Sequence, residues 1–180
     1  KELQNEDVIG FKIYPGYYQC YVDDKVYDPV YRLARDHKIP VVIHSGDTYS
    51  FRGYLEYSHP LHVNRLAIRY PDIKFVIAHM GNPWVIDAAL VMANNINVFA
   101  DLAGLMVGDS KKLKPLAGQR LFLESFQRAF IADNLYQKIL YGSDWPLVQI
   151  KPYISFIKKI IPKRYYKDVF YNNARNVFKI

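Results

Sequence analysis

The chain has 180 residues, 51% apolar and 23% charged, a balance that suits one hydrophobic core and excludes disorder, collagen-like repeats and coiled coil. Its 24 Lys and Arg against 17 Asp and Glu give a net charge of +7, yet the basic residues are scattered, so no specific nucleic-acid partner is expected. A single cysteine, Cys20, excludes an internal disulfide and an all-cysteine metal cage and points to a reducing, cytoplasmic setting, while no leader-like segment or run near the ~18 apolar residues of a membrane span is found.

In chain order, Val8 to Tyr14 (VIGFKIY) is an apolar, β-branched run closed by Pro15-Gly16, which predicts a strand and a turn. Asp28 to His37 follows as a helix with Pro29 at its first turn and apolar positions at Val30, Leu33 and Ala34. Ile39 to His44 (IPVVIH) is a second strand, and Pro60 to Arg69 a helix carrying Leu61, Val63, Leu66, Ala67 and Ile68, stopped by Pro71. Ile73 to Ala78 is a third strand, Pro83 to Ala93 a helix, Asn97 to Leu102 a fourth strand, Leu121 to Ile131 a helix, and Lys138 to Tyr141 a fifth strand. Helices over Ile150 to Ile160 and Tyr165 to Phe170 close the chain, and the basic run Lys158, Lys159, Lys163, Arg164 and Lys167 reads as their solvated surface.

Alternating strands and helices define an α/β fold with a parallel sheet. The strands are continuous apolar runs, as burial on both faces requires. An open doubly wound sheet and a closed barrel both satisfy this pattern. The nucleotide-binding form of the first should carry a Gly-rich first turn or a phosphate loop, and neither is present.

Titratable residues stand instead at the strand ends. His44 ends VVIH, His79 ends FVIAH and Asp144 follows ILYGS, while Lys12 and Asp101 sit near the ends of the first and fourth strands. Lys12 to His44 is 32 positions and His44 to His79 is 35, each one strand-helix unit, and His79 to Asp144 is 65, two units. Carboxyl ends of parallel strands converge on one mouth, so these side chains can meet there. Two imidazoles and a carboxylate are donors that suit zinc or a similar divalent ion, which activates water near neutral pH.

Each residue also has an ordinary reading. A histidine after a strand often packs or caps, although HSG and HMG repeat one arrangement, with a glycine that lets the backbone turn tightly. Asp144 can cap the next turn, and Asp101 can be structural or line the mouth. Lys12 reads as the partner of a nearby acid; His37, His59 and His62 read as structural. Trp84 and Trp145 can wall a pocket or pack at its rim.

Taken together, GFKIYPG, VVIHSG, RYPDIKFVIAHMGNPW, NVFADLAG, ILYGSDWP and YNNARNVFKI resemble the amidohydrolase-related branch of the metal-dependent amidohydrolase superfamily, a (β/α)8 TIM-barrel group. The likeness runs from about Val8 to Ile180. It implies that His44 is the metal histidine of the fifth barrel strand. His79 is then the sixth-strand histidine that binds the metal or orients the water, and Asp144 the eighth-strand aspartate that touches the metal and handles the proton. The closing N-x-A-R-x-x-F segment implies packing.

One family feature is missing. Members carry a His-x-His pair on their first strand, and no such pair exists in this sequence. At about 250 residues per barrel, the chain corresponds to strands four to eight with their helices, one domain over residues 1–180 lacking the first three units.

The implied activity is metal-dependent hydrolysis of a small carboxylated lactone, amide or ester. A divalent metal, expected to be zinc, would activate water; Asp144 would take its proton and His79 would polarise the carbonyl or orient the water. The alternative within enzymes is non-oxidative decarboxylation of a small aromatic or unsaturated acid. Outside enzymes, the chain would be an inactive fragment or an interaction module. Free strand edges would then pair with another chain or build a homo-oligomer.

Overall fold

The computed structural model describes residues 8–180; the polar opening stretch 1–7 lies outside the described residues. Five strands, β1 (Phe11–Ile13), β2 (Val41–Ile43), β3 (Phe75–Ile77), β4 (Val98–Asp101) and β5 (Ile139–Leu140), form one sheet in sequential order, with every neighbouring pair parallel. The order never reverses, so the switch point that defines a doubly wound sheet is absent from it. β1 and β5 are its two edge strands among the described residues.

Helices α1 (Asp28–His37), α2 (Leu61–Arg69), α3 (Val85–Asn94), α4 (Ser110–Ala117), α5 (Arg120–Ile131) and α6 (Ile150–Ile160) connect the strands or follow the last of them. The outward strand residues Ile13, Val41, Ile43, Phe75, Ile77, Val98, Ala100 and Ile139 share the large core with these helices. The inward residues differ. Val76 and Leu140, with Val42 and Phe99, form a separate small cluster with Ala174, Val177 and Phe178 of α7 (Asn173–Phe178). One face is therefore covered by the connecting helices and the other by the final helix. That segregation is barrel-like, and the closing segment performs the packing role expected of it.

α7 seals the end of the sheet where the strands begin. Lys74, just before β3, donates its ammonium to the Asn176 carbonyl at 2.5 Å. The buried amide of Asn173 donates to the Tyr136 and Ile139 carbonyls at 2.9 and 2.7 Å, tying α7 to the entry of β5.

Helices α1 and α6 coincide with their predicted spans. The buried face of α1 differs, however: Tyr31 and Ala34 are its core residues, whereas Leu33 is 40% exposed. The Asp28 side chain does not cap the helix; its Oδ1 accepts from the Tyr70 hydroxyl at 3.0 Å. Two corrections concern the second half. Helix α4, lysine-rich with Pro115 inside, is absent from the predicted elements, because its apolar stripe is as narrow as Leu113 and Ala117; Asp109 caps it by accepting from the backbone amides of Lys111 and Lys112 at 3.0 and 3.2 Å. The predicted Tyr165 to Phe170 helix is instead a 3-10 turn (Lys163–Tyr165) leading to a π-helical stretch (Asp168–Asn172) that continues into α7. Hydrophobic period alone does not distinguish these hydrogen-bond registers.

Candidate metal and acid-base site

The strand register sets the site in layers. Lys12, Val42, Val76 and Phe99 pair across β1 to β4 in one row, and with a side-chain period of two the next inward positions on β1, β2 and β4 are Tyr14, His44 and Asp101. Beyond them lies a cavity of about 430 Å³ whose lining includes Lys12, Tyr14, Tyr17, His44, His79 and Asp144. The three metal or proton-handling residues expected from the sequence thus open onto one space, together with Lys12. Asp101 supports it from below.

His44 is 4% exposed, and its Nε2 is buried without a hydrogen-bond partner among the described residues. Tyr14 stacks near its ring at 6.2 Å, Tyr17 meets it edge-on at 4.9 Å and His79 at 5.1 Å between centroids. Burial in this aromatic cage, with smaller contributions from His79 and Lys12, pushes the His44 pKa down to about 3. The ring is therefore neutral at physiological pH, the form that ligates metals.

His79 is held by its backbone and its ring. Its φ is +59° and that of Met80 is +50°, left-handed values that side chains other than glycine rarely adopt. Asp101 Oδ1 fixes this turn by accepting from the backbone amides of His79 and Ala103 at 2.9 and 3.0 Å. The ring Nδ1 lies 2.8 Å from the Ala103 carbonyl. A carbonyl can only accept, so Nδ1 carries the hydrogen and Nε2 is the free lone pair of the neutral ring.

Asp144 is exposed and also left-handed, at φ +62°. Its backbone carbonyl, not its carboxylate, takes the turn hydrogen bond from Leu147 at 3.0 Å, which leaves the side chain to the cavity. Of six non-glycine residues with positive φ among the described residues, three are His79, Met80 and Asp144, so backbone strain concentrates at the candidate site.

Gly104 closes the arrangement. With φ at +58°, a Cβ built there would come 2.7 Å from Asp144 Oδ2 and 2.9 Å from His79 Nδ1. Glycine thus allows the loop after β4 to pass close to both groups.

The donor types fit a divalent ion: a neutral imidazole with an orphaned buried nitrogen, a second imidazole with a free Nε2, and a carboxylate. Among the described residues no three His, Cys, Asp or Glu side chains are grouped closely enough to enclose one. The chemistry of the set suits a metal, and its number of converged donors is short of a complete cage.

The His62 ring bonds the Glu56 carbonyl at 2.9 Å, and His59 packs on Trp84 at 4.7 Å, both outside the mouth. Trp145 is 70% exposed and lines a shallower groove of about 710 Å³ with Leu147 and Ile150. It does not wall the cavity of the histidines. Sequence reasoning did not single out Tyr14, Tyr17 or Tyr49, which line that cavity. Tyr14 was legible as the residue two past Lys12; Tyr17 and Tyr49 come from irregular loops joined by the Tyr49 amide, which donates to the Tyr17 hydroxyl at 2.7 Å.

The family model described as Amidohydrolase (Amidohydro_2) matches residues 1–180, and the chain belongs to that family. No curated protein matches it by sequence. Among solved structures it is similar to an uncharacterized TIM-barrel protein from Bordetella bronchiseptica, at 22% identity and TM-score 0.72, covering 95% of this chain and 57% of that one. It is similar to a probable 2-pyrone-4,6-dicarboxylic acid hydrolase from Acinetobacter baumannii, at 15% identity and TM-score 0.64, covering 95% and 64%. A third likeness is to 5-carboxyvanillate decarboxylase from Novosphingobium aromaticivorans, complexed with manganese and 4-hydroxy-3-methoxy-5-nitrobenzoic acid, at 16% identity and TM-score 0.61, covering 96% and 56%. The chain spans less than two thirds of the length of each, and its fold is a partial TIM barrel.

Proposed function

We propose that the protein is a metal-dependent hydrolase of a small carboxylated lactone, amide or ester, and that residues 1–180 form the carboxyl-terminal part of its barrel. The observation that carries this reading is the buried, unpartnered Nε2 of His44 on a cavity shared with His79 and Asp144. His44 and Asp144, with His79 as a further donor, would hold a divalent ion, with zinc as the expected metal, together with donors from outside this chain's described residues. When bound, such an ion supplies Lewis-acid activation.

The chain's own residues supply the rest. Asp144 is the proton acceptor, its carboxylate freed from turn capping. His79 in its neutral form accepts a hydrogen bond at Nε2, which suits orienting a water more than polarising a carbonyl. Tyr14 and Tyr17 shield one side of His44 from solvent. The edges at β1 and β5 would be closed by three further strand-helix units, a reading supported by the Bordetella bronchiseptica TIM-barrel protein, of which this chain covers 57%.

Decarboxylation of a small aromatic or unsaturated acid is the second reading, supported by the likeness to the Novosphingobium decarboxylase. Product analysis on the intact protein separates the two, with 2-pyrone-4,6-dicarboxylate and 5-carboxyvanillate as probes. A ring-opened acid supports hydrolysis, and released CO2 supports the second reading. Turnover that persists unchanged in His44→Asn and Asp144→Asn would sink both.

A further inference from the structure

We propose that Lys12 is the carboxylate-binding residue of the cavity, its ammonium receiving the acid group of the ligand below the two histidines. The inference rests on the reading of the substrate as a small carboxylated molecule and assigns the residue that recognises it.

Lys12 is the one Lys or Arg among the described residues that line the cavity. Its strand partners in the same row are Val42, then Val76 and Phe99, so it is a charge rising from an otherwise apolar layer. A lysine placed there lays its stem along the apolar wall and carries the ammonium to the polar space above. Its ammonium stands 5.4 Å from the centroid of the Tyr14 ring, on the side of the cavity where Tyr14 stacks with His44.

Among the described residues the ring of Tyr14 is the one group found against that charge, and no carboxylate pairs with it. Lys12 takes part in none of the ion pairs found among the described residues. Asp101 and Asp144 raise its proton affinity from a distance, while the surrounding protein lowers it more, so the net pKa falls below that of a free lysine. Asp101 Oδ1 is occupied by two backbone amides. A partly desolvated cation that faces an aromatic ring but no carboxylate among the described residues is a strong site for a ligand's carboxylate, which forms a charge-assisted hydrogen bond there. The tyrosines around it add flat apolar walls, so a planar acid fits the space.

The test is binding of benzoate against its neutral isostere benzamide, read by calorimetry on the full chain with the neutral chelator 1,10-phenanthroline present. Wild type should bind benzoate. Lys12→Met should weaken benzoate binding at least about tenfold, the factor expected for a charge-assisted hydrogen bond. The same variant should leave benzamide within about twofold, and Lys12→Arg should restore most of the benzoate affinity. Three results would overturn the proposal: absence of benzoate binding to wild type, equal benzoate binding by Lys12→Met, or equal loss of benzoate and benzamide. Because the readout is binding without metal, these outcomes are separable from a failure of the metal-site reading, which turnover tests.

Discussion

His44 and His79 come from adjacent strands 35 positions apart and present their rings to each other at 5.1 Å and 62°. Their spacing in the sequence is one strand-helix unit, and the parallel register of β2 on β3 converts that unit into contact. The neighbourhood is not neutral in effect: each ring would repel the other if both were protonated. For His44, whose burial is the larger effect, this repulsion adds to the preference for the neutral ring.

The first prediction concerns metal. With one exposed carboxylate and two histidines, this chain alone should bind zinc weakly, well short of the ~10–16 kcal/mol of four-ligand structural sites. Calorimetric titration of zinc into residues 1–180 checks it, with His44→Asn removing what binding there is. Tight, stoichiometric uptake by the isolated chain would show that the donors present already suffice.

The second follows from the lowered pKa of His44. A histidine that stays neutral in the folded state while the unfolded chain binds a proton destabilises the fold below the ordinary value of 6.5, increasingly until the folded value of about 3 is reached. Between pH 7 and 4.5 this one group should remove roughly 2–3 kcal/mol of stability. Urea unfolding at the two pH values, in wild type and His44→Gln, measures it: the variant should lose less on acidification by about that amount. An unchanged pH dependence would mean that another group controls acid unfolding.

The third concerns Gly104. Replacing it with alanine places a methyl against Asp144 and His79 in a left-handed backbone. A loss of about 1–3 kcal/mol is expected, with a larger relative loss of metal binding in the intact protein than for Gly118→Ala, where the nearest atom is 3.3 Å away and φ is negative. Equal effects at the two glycines would separate Gly104 from the site.

The fourth concerns Asp101. Asp101→Ala removes the acceptor of two backbone amides and should cost about 1–3 kcal/mol, whereas Asp101→Asn keeps an oxygen in place and should cost less. Differential scanning calorimetry ranks the two. The reverse order would indicate that charge, not acceptance, fixes the His79 turn.

Much of the fold was legible because its signals are local. Pro29 marks the start of α1, and the apolar runs VVI and FVI are short strands, FVI buried on both faces and VVI with its inward Val42 half-buried. His44, His79 and Asp144 were legible because strand ends recur at regular spacing. What escaped depended on tertiary contacts. Tyr31, not Leu33, anchors α1 because its hydroxyl donates to the Val22 carbonyl and its ring meets Phe75. The lysine-rich α4 is amphipathic only through Leu113 and Ala117. The role of Asp101 as a backbone acceptor needs a partner 22 residues away, which no pattern of residue types reveals.

The last helix also fixes an order of events. α7 is synthesised after every strand it covers, and Val177 supplies the buried contact for Val76 and Leu140. The outer core can assemble as each helix follows its strand, but the inner layer stays wet until α7 docks. Drying of the inner layer is thus governed by residues at the opposite end of the strands from the chemistry.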